Sequence, residues 1–236
     1  MGFSYIIVTG ASRGIGLSIA ESLIEKGYGV IGISRTPCES LKNNSHYHQV
    51  IQDLLDLKGI ENSIKNILKK NFVIEGVVIN AGRGLLGSLE GFSAKDIEET
   101  IKLNLLHPIF LAKALVPYFK TKRKGSLIFM GSESALEGHK NGSIYSASKF
   151  GLRGFCESLR EECRSKGVRV MMLHPGVVNS PDFFKQLPIE PHQESCASLE
   201  PQDVASLVVY MLQAPQSVLI EEIECSPLVK KVQFKK

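Results

Sequence analysis

The chain has 236 residues, of which 43% are hydrophobic, with a net charge of +4 and a pI of about 8.7. This composition suits a single globular α/β domain spanning residues 1–236. The charge is too small and too scattered to indicate a nucleic-acid partner, and no uncharged run approaches the ~18 residues of a membrane span. Two lysine-rich stretches, at 120–124 and 230–236, are interpreted as a helix C-terminus and a solvated chain end.

Cysteine spacing and the N-terminal sequence bear on the compartment. The five cysteines are widely separated and contain no Cys-x-x-Cys pair, so neither a metal site nor a disulfide framework is predicted. The first apolar run is short and leads directly into a glycine-rich turn, which is not typical of a signal peptide. We therefore expect a cytoplasmic protein with no membrane partner.

Short segments rich in valine and isoleucine alternate with longer helical patterns along the chain. Strands are predicted at 5–9, 29–34, 47–51, 74–80, 126–131, 168–174 and 218–224, and helices at 14–26, 58–70, 94–120, 143–166 and 201–213. Strand–helix alternation with right-handed crossovers predicts an α/β fold, a doubly wound Rossmann fold whose parallel seven-stranded sheet has helices on both faces. The segment 181–199 is predicted to be an irregular loop of the kind that borders binding sites.

A glycine-rich segment follows the first predicted strand and opens the first helix. Residues 9–16 read Thr-Gly-Ala-Ser-Arg-Gly-Ile-Gly, a spacing that differs from the commoner Gly-x-Gly-x-x-Gly. Glycines permit a tight turn and a close approach of the backbone to a pyrophosphate, and the helix N-terminus supplies N–H groups. The segment predicts a dinucleotide site, with a ligand-free tight connection as the alternative. The candidate residues are Gly10, Ser12, Arg13, Gly14, Ile15 and Gly16.

The end of the second predicted strand bears on which dinucleotide is bound. An NAD-selective site usually carries an acidic residue there, for the ribose hydroxyls. Ser34 and Arg35 stand there instead, and Arg13 lies in the nearby glycine turn. Arginine can bind a 2′-phosphate bidentately, whereas an acid would repel it. The pattern favours NADP(H) over NAD, although both arginines could simply be solvated.

Tyr145 and Lys149 stand four residues apart in a predicted helix, so both side chains lie on one helical face. A fixed ammonium beside a phenol favours the phenolate and lowers the tyrosine pKa. The pair is a candidate proton donor near neutral pH. The alternative is an ordinary polar pair on a solvated helix.

Together these motifs resemble the short-chain dehydrogenase/reductase family over residues 9 to about 224. The matching residues, in chain order, are the glycine turn, Asp53-Leu54, Asn80-Ala81-Gly82, Asn104, Ser132, Tyr145 with Lys149, and Pro175-Gly176.

The resemblance implies roles for four catalytic residues. Tyr145 would be the general acid or base, and Ser132 would hydrogen-bond the substrate oxygen, with Ser134 as the competing serine. Lys149 would bind the nicotinamide ribose and lower the pKa of Tyr145. Asn104 would hold a water that connects Lys149 to solvent.

The resemblance also implies which further residues contact the cofactor. Asp53 and Leu54 would contact the adenine. After the sixth strand Ser180 takes the place of the usual threonine, with Asn179 as the alternative, and Val178 would offer its backbone to the carboxamide. The further cofactor-binding residues are Asn80, Ala81, Gly82, Pro175 and Gly176.

The implied function is an NADP(H)-dependent oxidoreductase that transfers hydride between the nicotinamide and a small carbonyl or secondary alcohol substrate. The alternatives are an NAD-dependent alcohol dehydrogenase, a reductase of carrier-bound 3-oxoacyl chains, and a non-catalytic NADP-binding sensor. The last predicted strand looks more like the NADP-dependent 3-hydroxy acid and serine dehydrogenase branch. A homodimer or homotetramer is expected, and Arg83, His139 and Lys140 are candidates for binding a substrate carboxylate.

Overall fold

A computed structural model describes residues 3–185, 187–194 and 196–235. The strands in these residues are β1 (Ser4–Thr9), β2 (Gly29–Ser34), β3 (Tyr47–Ile51), β4 (Val73–Ile79), β5 (Gly125–Met130), β6 (Val168–Pro175), β7 (Ile189–Pro191), β8 (Glu222–Cys225) and β9 (Val232–Phe234). The helices are α1 (Gly14–Glu25), α2 (Leu57–Leu68), α3 (Ala94–Ile101), α4 (His107–Lys122), α5 (Ser143–Arg164), α6 (Pro181–Phe184) and α7 (Pro201–Gln213).

The central sheet is parallel and has the strand order β3-β2-β1-β4-β5-β6-β8. One face packs against α2, α4 and α5, through buried residues such as Ile64, Leu111 and Cys156. The other face packs against α1 and α7, through residues such as Leu23 and Val208. The predicted doubly wound α/β fold is therefore confirmed. Because all strands of this sheet are parallel, the segments that follow them meet at one edge, where such folds bind ligands.

The predicted helix at 94–120 is interrupted. α3 and α4 are joined by a π-helical turn at Lys102–Leu106, in which the His107 N–H donates to the Lys102 carbonyl five residues back. The cause is Pro108, which has no N–H to donate to the carbonyl of Asn104 and whose ring would clash with that carbonyl in an α-helix. The π turn widens the helix at this point, as often happens at functional sites.

The last strand of the sheet is shorter than the predicted 218–224. β8 begins at Glu222, where it pairs with Met172 of β6, and ends at Cys225. The preceding apolar residues Leu219 and Ile220 pack against the core as extended chain. Their side chains are partly buried, but their backbones do not pair with a neighbouring strand. An apolar sequence pattern alone does not distinguish these two cases.

The predicted irregular loop at 181–199, here called the substrate loop, contains α6 and β7. The predicted solvated end also has structure up to residue 235, whereas Lys236 lies outside the described residues. β9 pairs antiparallel with β7, Lys230 forms an ion pair with Glu133 at 2.9 Å, and Lys231 forms one with Glu194 at 2.6 Å. Residues 226–235, here called the C-terminal segment, therefore hold the substrate loop against the rest of the fold.

The longest of these helices is α5, with 22 residues. Within the described ranges, no helix combines the length and the apolar character that crossing a membrane requires.

Ending the chain after Cys225 should loosen the substrate loop without unfolding the sheet. The truncation removes β9 and the Lys235 ammonium that donates to the carbonyls of Phe184 and Lys185. We expect trypsin to cleave after Lys185 about tenfold faster or more, because local opening becomes easier while the core keeps its contacts. Thermal unfolding should shift little.

The matched control for the truncation is Leu228→Ala, since this side chain is 90% exposed within the same segment. Equal cleavage rates in the truncated and full-length chains would show that the C-terminal segment does not hold the loop.

Candidate active site

Tyr145 and Lys149 lie on α5, as the spacing predicts. The Lys149 side chain reaches the end of β5, where its ammonium donates to the Met130 carbonyl at 2.9 Å. Lys149 is 5% exposed, and burial lowers its pKa to about 8. The ammonium lies 5.7 Å from the centre of the Tyr145 ring. The geometry therefore brings a buried ammonium close to a phenol.

Ser132 follows β5 and faces Tyr145. Burial raises the pKa of the Tyr145 phenol, and a hydrogen bond with the Ser132 hydroxyl opposes that rise. The backbone N–H of Ser134 donates to the Ser132 hydroxyl at 3.1 Å, so Ser134 supports Ser132 through its backbone. Of the two candidate serines, Ser132 is the one whose hydroxyl acts on the phenol.

The predicted lowering of the Tyr145 pKa by Lys149 is wrong for this structure. The pKa is raised, and Lys149 is not among the groups that shift it. The physical reason is that the phenol itself is buried, which disfavours the phenolate more than the hydrogen bond with Ser132 favours it.

Asn104 lies in the π turn and is 1% exposed. Its side-chain oxygen accepts from the Arg83 N–H at 2.9 Å, and its side-chain nitrogen donates to the Arg83 carbonyl at 2.9 Å and to the Ser148 hydroxyl at 3.1 Å. Ser148 donates in turn to the Tyr145 carbonyl at 2.7 Å. The side chain of Asn104 therefore uses both of its amide protons and one lone pair of its oxygen, and its backbone carbonyl lacks the α-helical donor that Pro108 cannot supply.

The glycine turn, residues 10–16, fits a phosphate-bearing ligand. Gly10 and Gly14 have φ of +70° and +55°, in the left-handed region that favours glycine. A Cβ on Gly16 would lie 2.2 Å from the Gly10 carbonyl oxygen and 2.7 Å from the side-chain nitrogen of Asn80. No side chain fits at residue 16, so the backbone turns tightly at the start of α1, and the helix N–H groups are directed outward.

Two further predicted residues of this turn, Ser12 and Arg13, are on its outer side. The Thr36 hydroxyl donates to the Ser12 hydroxyl at 3.4 Å, and Arg13 is exposed, 3.7 Å from the carboxylate of Asp182. Ile15 is partly buried against the core on the α1 side.

The predicted residues Ser34 and Arg35, at the end of β2, have different environments. The Ser34 hydroxyl turns inward, donating to the Thr36 carbonyl at 2.6 Å and accepting from Gln49 at 3.1 Å. Arg35 is exposed, and among the described residues its guanidinium has no partner. Thr36, which the sequence prediction missed, contacts Ser12 from the β2 side. The available signal is the run Ser-Arg-Thr, which begins with the last residue of β2.

The loops after β3 and β4 bring their predicted residues to the same edge. Leu54 is 5% exposed, whereas Asp53 is exposed and accepts from the Leu55 N–H at 3.0 Å. After β4, the Thr9 hydroxyl accepts from the N–H groups of Asn80 and Ala81 at 3.0 and 3.1 Å. A Cβ on Gly82 would lie 3.1 Å from the Asn104 side chain and 3.8 Å from the Lys149 ammonium, so Gly82 leaves the cleft above them open.

The segment after β6 reaches across to the glycine turn. The Gly176 N–H, next to Pro175, donates to the Cys225 carbonyl at 2.8 Å, and Val178 is buried beside Leu199. Ser180 lies so close to the glycine turn that a Cβ on Gly14 would be 2.8 Å from its hydroxyl. Asn179 instead donates to Glu200 at 3.1 Å. Ser180 is therefore the residue of the pair that faces the site.

One wall of the cleft beside Tyr145 is apolar and comes from the substrate loop. The Phe183 ring packs edge-on to Tyr145 at 6.4 Å, and a Cβ on Gly84 would lie 2.9 Å from Leu187 and 3.0 Å from Phe183. The sequence prediction missed both residues, because no motif marks them and their position depends on the fold of the substrate loop.

The three residues predicted to bind a substrate carboxylate, Arg83, His139 and Lys140, do not belong to this apolar wall. The Arg83 guanidinium is paired with Asp96 at 3.4 Å and Glu99 at 2.9 Å, so its charge is already compensated. His139 and Lys140 are exposed in the loop before α5. The described residues contain no group of His, Cys, Asp and Glu side chains arranged to bind a metal ion.

Comparison with known proteins places this chain in a family. A family model described as short chain dehydrogenase matches residues 4–189. A 3-oxoacyl-[acyl-carrier-protein] reductase of Buchnera aphidicola is 32% identical over 86% of this chain and 87% of its own.

Two solved structures illustrate the structural similarity. An alcohol dehydrogenase from the archaeon Thermococcus sibiricus, complexed with 5-hydroxy-NADP, has a TM-score of 0.87 and 25% identity over 98% of this chain and 99% of its own. The serine dehydrogenase of Escherichia coli has a TM-score of 0.81 and 25% identity over 94% of this chain and 96% of its own.

Lys149→Met should change how stability depends on pH. The folded-state pKa of Lys149 is lowered from 10.5 to about 8, so between these values the unfolded chain holds a proton that the folded chain has released. The wild type should therefore gain stability with rising pH in this window, by up to about 3 kcal/mol relative to the variant. Urea unfolding of both proteins at several pH values measures the difference.

Lys166→Ala is the control, since Lys166 is exposed at the opposite edge of the sheet and should leave the pH profile unchanged. Parallel profiles for the wild type and Lys149→Met would contradict the burial argument.

Proposed function

The chain belongs to the short-chain dehydrogenase family, and on that basis we propose that it is an NADP(H)-dependent oxidoreductase that interconverts carbonyl compounds and secondary alcohols. The observation that carries the proposal is the convergence of Tyr145, Lys149 and Ser132. The first two lie on α5 and the third follows β5, and the contact from Lys149 to Met130 joins the two elements. A non-catalytic nucleotide-binding protein would have no need of this arrangement.

The residues at the sheet edge fit a dinucleotide with a 2′-phosphate. The glycine turn would hold the pyrophosphate, and Arg35, Arg13, Ser12 and Thr36 would surround the 2′-phosphate without an acidic residue at the end of β2. The complex of the Thermococcus enzyme with an NADP analogue supports this choice over NAD. When bound, the nicotinamide supplies or accepts the hydride.

The catalytic side chains would move the proton. In the direction of reduction, the substrate carbonyl oxygen would accept hydrogen bonds from Ser132 and Tyr145, and Tyr145 would transfer its proton to that oxygen. The raised pKa of the phenol keeps Tyr145 protonated before the reaction, as a proton donor requires. Lys149 would bind the ribose hydroxyls, and a water on the Asn104 carbonyl would return a proton from solvent.

The substrate side of the cleft favours an apolar substituent on the carbonyl carbon. Phe183 and Leu187 provide apolar surface beside Tyr145, while the nearest arginine, Arg83, is already paired with two carboxylates. Burying an unpaired substrate carboxylate there would be costly. We therefore place apolar aldehydes and ketones ahead of small 3-hydroxy acids or serine, in spite of the structural likeness to serine dehydrogenase.

A second candidate is the reduction of a 3-oxoacyl chain attached to a carrier protein. The similarity to the Buchnera reductase favours it, and the same apolar wall would contact the acyl chain. A substrate panel that contains both free and carrier-bound 3-oxoacyl chains separates the two.

The active form is proposed to be a homodimer or homotetramer. Phe150 on α5 is 45% exposed, although it adjoins the catalytic Lys149 in sequence, and a partner subunit would cover it.

Tyr145→Phe should lower kcat for carbonyl reduction by at least about 100-fold, because the variant keeps the ring but has no proton to donate. NADPH oxidation is followed with aldehydes, ketones and 3-oxo acids. Binding of NADPH, measured by fluorescence, should stay within about threefold of the wild type. A variant that keeps most of the wild-type rate would refute the role of Tyr145.

Arg35→Ala should weaken NADPH binding about tenfold and leave NADH binding unchanged, because only NADPH carries the 2′-phosphate. Lys166→Ala removes the same charge far from the site and serves as the control. An unchanged ratio of NADPH to NADH affinity in Arg35→Ala would overturn the assignment of the phosphate site.

A further inference from the structure

A set of polar contacts that begins at the buried His174 lies behind Ser132. The His174 Nδ1 lies 3.2 Å from the Ser132 carbonyl oxygen, and because a carbonyl only accepts, Nδ1 is the donor. The other ring nitrogen, Nε2, lies 3.3 Å from the Glu222 carboxylate. Glu222 accepts from the Arg153 guanidinium, at 3.1 and 3.2 Å. Arg153 is on α5, one helical turn beyond Lys149.

The strand register explains why these side chains meet. Glu222 of β8 pairs with Met172 of β6, so both side chains point to the same face of the sheet. His174 is two residues beyond Met172 and therefore also points to that face. α5 packs on the same face, through Leu152 and Cys156. The contacts thus run from the catalytic helix, through the last two strands, to the backbone of Ser132.

The imidazole of His174 occupies the space that a side chain at residue 131 would need. His174 is 1% exposed, and a Cβ on Gly131 would lie only 2.5 Å from its Nδ1. Any other residue at 131 would push the ring away from the Ser132 carbonyl. The carbonyl also accepts from the Ala135 N–H at 2.9 Å, so His174 is the one contact that comes to it from outside its own turn among the described residues.

We propose that His174 is a positioning residue for Ser132, acting through the hydrogen bond from Nδ1 to the Ser132 carbonyl and held there by its burial against Gly131. The inference rests on the proposed function, in which Ser132 holds the substrate oxygen. His174 fixes the backbone of Ser132 from behind while Tyr145 meets the hydroxyl from the front.

The charge distribution suits this role. Glu222 compensates the charge of Arg153 and of Arg160, whose guanidinium lies 3.9 Å from it. Burial lowers the pKa of His174, so the neutral ring has one proton, on Nδ1, and Nε2 lies beside the Glu222 carboxylate without a hydrogen bond between them. Arg160 is itself fixed by hydrogen bonds to the carbonyls of Val170 and Glu221 at 3.0 and 2.9 Å. The neighbouring charges are therefore fixed, and the hydrogen bond from Nδ1 and the burial of the ring hold it against Ser132.

The test compares His174→Leu, which removes the hydrogen bond to the Ser132 carbonyl, with His174→Asn, whose amide nitrogen can replace Nδ1. His174→Leu should lower kcat about tenfold or more, because a small displacement of a positioning group is costly in catalysis. The KM for NADPH should stay within about twofold of the wild type, since the ring does not contact the cofactor site. His174→Asn should recover most of kcat.

The matched control is Leu173→Ala, on the same strand but facing the opposite side of the sheet, where Leu173 is fully buried. It should lower the melting temperature without a comparable loss of kcat. Two results would show that the role of His174 is only structural and that the inference is wrong. In the first, His174→Leu loses no more kcat per degree of melting temperature than Leu173→Ala. In the second, the kcat of His174→Asn is as low as that of His174→Leu.

A readout independent of turnover separates this inference from the proposed function. The phenolate absorbance of Tyr145 is titrated as a difference from Tyr145→Phe. The groups around the phenol are Ser132, Lys149 and the ring of Phe183, and the Ser132 hydroxyl is the one that lowers its pKa.

His174→Leu should therefore raise the pKa of Tyr145, and Leu173→Ala should not. An unchanged titration in His174→Leu refutes the positioning role even if no substrate is reduced. If the wild type reduces no carbonyl but His174→Leu still raises the pKa of Tyr145, only the proposed function is refuted.

Discussion

The contact between the Lys149 ammonium and the Met130 carbonyl is the interaction on which the rest of the site depends. It joins α5 to the end of β5, two residues before Ser132, and so fixes Tyr145 and Ser132 relative to each other. Burying an ammonium is unfavourable, and the lowering of its pKa to about 8 expresses that cost. The protein retains the cation in a place where a well-packed apolar side chain would cost less, which is the behaviour expected of a functional residue.

A second set of contacts fixes the same helix from the other side. Pro108 deprives the Asn104 carbonyl of its α-helical donor, and the resulting π turn places the Asn104 side chain between the Arg83 backbone and Ser148. Ser148 in turn donates to the Tyr145 carbonyl. The loop after β4, the π turn and α5 are therefore connected by hydrogen bonds made with a single buried amide. Without the π turn this amide would be rotated away from at least one of its partners.

The parts of the site that could be predicted from the sequence are those encoded by neighbouring residues. The glycine turn and the spacing of Tyr145 and Lys149 are local, because helix and turn geometry relate residues a few positions apart. The wall formed by Phe183 could not be predicted in this way, since it depends on a loop held by a chain segment about fifty residues later. The pKa of Tyr145 was predicted in the wrong direction for a related reason. Spacing shows that an ammonium is near, but burial, which decides the sign, is a property of the whole fold.

The substrate loop and the proposed phosphate site share a residue. Arg13, at the start of α1, is 3.7 Å from Asp182 in α6, and Ser180 lies against Gly14 in the same turn. A phosphate that approaches Arg13 competes with the Asp182 carboxylate, because both are anions that seek the same guanidinium. Both partners are well exposed, so the existing pair is weak and easily exchanged. A phosphate would therefore take Arg13 at little cost, and the contact between Ser180 and the glycine turn, which involves no charge, would remain.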